Sequence, residues 1–101
     1  MMDVAIEELP IEQDGEKKRF EIRCGDDVAL LQYRMRDNSI VFTHLETPRS
    51  MERHGVAARL AKHGLDYARE NGLTVAPLCP YVAYYISQHP EYKDLVAAWQ
   101  R

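Results

Sequence analysis

Apolar and polar residues alternate through "KRFEIRC", where Phe20, Ile22 and Cys24 share one face, the period of a half-buried strand. A turn at "GDD", Gly25 to Asp27, leads into "VALLQYRMR", with Leu31, Tyr33 and Met35 on one face. "DNS" at Asp37 to Ser39 is a second turn, and "IVFTHLET" is a third strand rich in β-branched residues, so three antiparallel strands are expected. At Val56 the period becomes helical. Val56, Leu60 and Tyr67 lie near one stripe, with Ala57, Ala61, Leu65 and Ala68 beside it, and Gly72 in "ENG" supplies a C-cap. "LTVAPLC", Leu73 to Cys79, reads as a fully buried strand, parallel to the one before the helix because a crossover separates them. "PYVAYYISQHP" places Pro first in a short helix, "PEYKDLVAAWQR" fits a last helix, and "VAIEELPIEQDGEKK" offers a further edge strand despite Pro10. These elements make an α+β (α/β-like) fold: a mixed, mostly antiparallel sheet, a β-α-β crossover and C-terminal helices.

Composition narrows the function classes. A chain of 101 residues with 46% hydrophobic content has room for one core, hence one domain over residues 1–101. A formal charge of −3 argues against nucleic acid, whose phosphates need clustered Lys and Arg, and leaves a weak preference for a cationic partner. Cys24 and Cys79 fall in different strands without C-x-x-C spacing, and His44, His54, His63 and His89 lack ligand spacing. Neither a disulfide scaffold nor a metal site is expected, and the cytoplasm is the expected compartment. The start "MMDVAIEELP" has no basic segment followed by an apolar run, and the longest apolar stretch is broken by Pro77 and Pro80, so no export or membrane insertion is expected.

The joint "ERHGVA", Glu52 to Ala57, lies where the long helix begins. A helix start carries free backbone N–H groups and a partial positive charge, and a Gly there lets an anion, most often a phosphate, come close to the backbone. The order of elements, with "RFEI" at Arg19 to Ile22, "YR" at Tyr33 and Arg34, "HLETP" at His44 to Pro48, "ERHGVAARLAKHGLDYARENGL" at Glu52 to Leu73 and "PLCPYVAYYISQHPEYKDL" at Pro77 to Leu95, resembles the GNAT superfamily of N-acetyltransferases, in particular its small stand-alone members. Their acyl-CoA loop runs Q/R-x-x-G-x-G/A. Here Gly55 and Ala57 match it, Glu52 takes the first position, and Arg53 stands where small members usually carry Gly.

The resemblance implies acetyl transfer from acetyl-CoA to an amine, with a cofactor-binding loop that opens at Glu52 and backbone N–H groups of Arg53, His54, Gly55, Val56, Ala57 and Ala58 cradling the pyrophosphate. It further implies that the third and the later strand splay apart, that the pantetheine arm pairs with backbone near Leu45 and Thr47, and that an N–H there meets the thioester oxygen. An alkyl ammonium titrates near ~10.4 and must lose a proton before attack. His44 and Glu46, two apart on a strand and so on one face, are the candidate bases; a backbone-bonded histidine and a solvated strand-end charge are the plainer alternatives. Cys79 is the candidate nucleophile or thiolate protonator, against the alternative of a packed core thiol. Tyr84 and Tyr85, with Tyr81, are read as walls of the CoA groove, acid substitutes or core. Two acceptor-covering helices of larger relatives have no room here, so an exposed amine such as a protein lysine or a polyamine fits best. A CoA-binding module without catalysis is the second reading.

Overall fold

The computed structural model describes residues 5–99. A short 3-10 turn at Ile6–Glu8 precedes five strands: β1 (Glu12–Asp14), β2 (Arg19–Cys24), β3 (Asp27–Arg36), β4 (Ser39–Glu46) and β5 (Thr74–Pro77). Helix α1 (Val56–Glu70) joins β4 to β5, and α2 (Pro80–Gln88) and α3 (Lys93–Trp99) follow. The sheet runs in chain order, β1 to β4 antiparallel and β5 parallel to β4. The edge strand expected before Arg19 is present, reduced to three residues that pair with Arg19, Phe20 and Glu21.

Alternation dictates which sheet face is buried. Phe20, Ile22, Ala29, Leu31, Ile40, Phe42 and Val75 are wholly enclosed, and α1 covers them with Val56, Leu60, Ala61, Leu65 and Ala68. Tyr67, expected on that stripe, is half-buried at its edge with its ring against Phe20; the centre of the contact belongs to Gly64. On the opposite face Glu21 is buried between Arg19 and Arg23, the latter donating to it at 2.9 Å, which offsets the cost of enclosing the carboxylate.

Two features differ from the expected pattern. The strand expected over Leu73 to Cys79 and wholly buried is only four residues long and lies at the sheet's edge, with Leu78 62% exposed. Pro77 has no N–H to extend the ladder, and the chain turns so that the Cys79 N–H donates to the Phe42 carbonyl at 2.8 Å. The last helix begins at Lys93, later than the expected Pro90, after a 3-10 turn at Pro90–Tyr92, and Gln100 and Arg101 of that reading lie outside the described residues. The Tyr92 hydroxyl donates to Asp66 at 2.7 Å and so ties this end of the chain to α1; burial and that bond push its phenol up to about 12.

Gly64 carries the helix-to-sheet packing. A Cβ there would meet Phe42 Cε1 and Cζ at 2.9 Å and Leu31 Cδ2 at 3.0 Å. Ala gains about 1 kcal/mol over Gly in helix propensity, but overpacking a closed core typically costs about 1–3 kcal/mol. Gly64→Ala is therefore expected to lower the thermal midpoint, and a midpoint at or above wild type would show that the Phe42 ring can yield.

Candidate active site

The ladder between β4 and β5 ends at the Phe42 and Pro77 pair. Beyond it β4 continues to Glu46 bonded to β3 alone, so its other edge is open over Thr43 to Glu46. An irregularity in the β3–β4 register helps: Tyr33 pairs with Phe42 but Gln32 with His44, so Thr43 is an extra residue and bends the strand. The splay expected from the resemblance is thus built by an added residue on one strand and a proline on the other.

After β4 the chain makes a 3-10 turn, Arg49–Met51, that buries Met51, then turns through residues 52–55 into α1. Arg53 and Gly55 both adopt left-handed backbone, φ +68° and +72°. Arg53 therefore takes the conformation that a glycine would take at the same place, against the steric preference of a residue with a Cβ. The first intrahelical bond runs from Arg59 N–H to the Gly55 carbonyl at 3.0 Å, and no side chain caps the helix. The amides of Val56, Ala57 and Ala58 precede that bond and point out of the helix end, where they favour a negative charge. A Cβ built on Gly55 meets nothing within 4 Å, so the space beside the bare helix end is open.

These groups line one pocket of about 180 Å³, formed by Thr47 from the end of β4, Glu52, Arg53 and Gly55 from the turn, the first turn of α1, Met51 beneath and Tyr81 from α2. That is below the roughly 300–1,000 Å³ of a site enclosing a drug-sized ligand. Its size suits one anionic group held at a surface. The Thr47 hydroxyl is enclosed and has no hydrogen-bond partner among the described residues.

The remaining sequence candidates divide. His54 faces the N-terminal turn, its Nδ1 2.8 Å from Glu7 Oε2, a contact that holds the Glu7 carboxyl below its ordinary range. His44 and Glu46 form an exposed pair, Nε2 to Oε2 3.0 Å, on the outer face at the open end of β4. Leu45 points inward and packs against the core. Cys79 is 2% exposed and precedes α2 as its N-cap, so the thiol is covered. Tyr84 is exposed, with its ring 6.0 Å from that of Tyr81.

Tyr85, for which groove wall and core were both open, is a core residue: its ring stacks on His89 at 3.9 Å and leans on Tyr92. Tyr81, one turn earlier, is the aromatic that reaches the pocket, and burial pushes its phenol up so that it stays protonated near neutral pH. The signal for Tyr81 was its place in the first turn after Pro80, beside the splay. Among the described residues no three His, Cys, Asp or Glu side chains gather as a metal set.

A family model described as GCN5-related N-acetyl-transferase matches residues 19–95. The chain is 29% identical to Protein NATD1 of Homo sapiens over 85 residues, 81% of this chain and 75% of that protein. It is 28% identical to Protein NATD1 of Xenopus tropicalis over 85 residues, 81% of this chain and 78% of that protein. A GCN5-like protein from Staphylococcus aureus, solved in solution by NMR, superposes with a TM-score of 0.69 at 27% identity, covering 86% of each chain.

The two left-handed residues make opposite predictions. Left-handed backbone costs an L-residue roughly 1–2 kcal/mol, partly offset in the comparison with Gly by the greater freedom of the unfolded chain. Gly55→Ala should destabilise the protein by about 1 kcal/mol and Arg53→Gly should stabilise it by about 0.5–1 kcal/mol. Denaturant unfolding of both variants checks this; equal stabilities would mean that the turn does not hold these conformations.

Proposed function

Because the chain belongs to the GCN5-related N-acetyltransferase family, we propose that it transfers an acetyl group from acetyl-CoA to an exposed amine, a protein lysine or a polyamine. The observation that carries this reading is the uncapped end of α1, entered through two left-handed residues and placed beside the open edge of β4. The residues fit a CoA pyrophosphate: Gly55 leaves space for it, the amides of Val56 to Ala58 face it, and Thr47, whose enclosed hydroxyl is unpaired among the described residues, lines the same pocket. When bound, acetyl-CoA supplies the activated thioester.

In this reading the free backbone edge of β4 over Thr43 to Glu46 binds the pantetheine arm as a strand would bind, and one of its N–H groups stabilises the oxyanion. Glu46, paired with His44, takes the proton of the incoming ammonium through water, which its exposure admits. Tyr81, protonated and beside the loop, orients the ligand from the other side. The covered Cys79 thiol favours direct attack by the amine over an acyl-cysteine intermediate. β1 and β2 are joined by a short turn at residues 15–18, and β2 and β3 by another at Gly25 and Asp26, so no helix between these strands shields the outer face bearing His44 and Glu46. A large acceptor can therefore reach them. With free thiols at Cys24 and Cys79, the cytoplasm is the proposed compartment; no helix among the described residues is long and apolar enough to cross a membrane.

Incubation with acetyl-CoA and a lysine-rich peptide or a polyamine, following release of the CoA thiol, tests the reading. Amine-dependent thiol release is expected, reduced on the order of 10²-fold in Glu46→Gln and retained in Cys79→Ala. CoA binding without thiol release from either amine would instead support a non-catalytic CoA-binding module, and absence of CoA binding would refute both.

A further inference from the structure

The hydroxyl of Thr47 is the one pocket group whose state in the free protein calls for an explanation. Its Oγ1 is enclosed and has no partner among the described residues, although the residue itself is only half-buried and lines the pocket. An enclosed hydroxyl with nothing to bond destabilises a fold, since it has surrendered water without a replacement. Valine has the same shape and would remove that cost, so the hydroxyl has no evident use in the free chain.

Thr47 is also the residue at which the two halves of the pocket meet. It directly follows the open edge of β4, and it shares the pocket with the outward-pointing amides of Val56, Ala57 and Ala58. A threonine side chain occupies staggered positions about χ1, and one step of about 120° carries the hydroxyl to the place held by the methyl and the methyl to the place held by the hydrogen. Such a step gives Oγ1 a second direction about the Cα–Cβ bond without moving the backbone.

Resting on the CoA reading of this pocket, we propose that the Thr47 hydroxyl is a ligand-triggered phosphate donor: it is stored without a partner in the free protein and turns to donate its O–H to the same phosphate that the α1 amides hold. The free protein thus carries a destabilised group that ligand binding satisfies. The hydroxyl would contribute selectively to binding an oxyanion and oppose folding in its absence.

The opposite signs of these two effects separate the proposal from an ordinary packing role. Thr47→Val should raise the thermal midpoint of the ligand-free protein by roughly 4 °C or more, yet weaken binding of both CoA and inorganic pyrophosphate roughly 3–10-fold by calorimetry. Thr47→Ser, which keeps the hydroxyl, should bind both within about twofold of wild type. A Thr47→Val variant that binds both probes as wild type does, or that loses affinity for CoA but not for pyrophosphate, overturns the assignment of the hydroxyl to the phosphate. A lowered midpoint in Thr47→Val overturns the stored-group account. Failure of the wild-type protein to bind either probe would strike at the CoA reading itself, and is distinguishable because it appears before any substitution.

Discussion

Phe42 is the point on which the layout depends. Its ring lies under the bare backbone of Gly64 and sets how closely α1 approaches the sheet. Its carbonyl accepts from Cys79, the last bond before β4 and β5 part, and its neighbour Thr43 is the added residue that bends the strand. One side chain and one carbonyl therefore fix the height of the helix and the origin of the gap. The mouth of α1 opens beside the free edge of β4 because both distances are measured from the same residue.

Electrostatics at that mouth are local. The protein as a whole is acidic, with a formal charge of −3, and no basic patch is needed to hold an anion there. Backbone amides and the helix dipole act over one turn, where salt and distant carboxylates count for little. His54 is paired with Glu7 and is not among the residues that line the pocket. Arg53 and Gly55 hold the amides' direction, freely at Gly55 and at the expense of backbone strain at Arg53, a common trade at sites that bind through the backbone.

Much of this was legible in the chain. Alternation at Phe20, Ile22, Leu31 and Tyr33 marked the buried sheet face, although Met35 of the same stripe is exposed near the end of β3, and the helical stripe from Val56 to Ala68 marked what covers it. "ERHGVA" marked the helix start, because Gly55 there breaks the chain just before an amphipathic run. Of the roles open to the tyrosines of α2, the structure gives Tyr85 the core and Tyr81 the pocket, for a geometric reason. The two lie four apart on α2, so they share a helix face, but four residues advance about 6 Å along the axis. That step separates the pocket from the stack on His89 and Tyr92.

By itself the sequence determined what short-range periodicity and turn chemistry can determine: the elements, their order, the buried faces, the parallel crossover and the loop where a helix end lies open. Only the tertiary structure decided quantities that arise when distant segments meet. These are the early end of β5 against Phe42, the covering of Cys79, the pairing of His44 with Glu46 at the surface, and the enclosure of the Thr47 hydroxyl. The physical reason is that periodicity reports which way a side chain faces relative to its own element. Burial, access and hydrogen-bond partners depend on how far along its axis each element docks against the next.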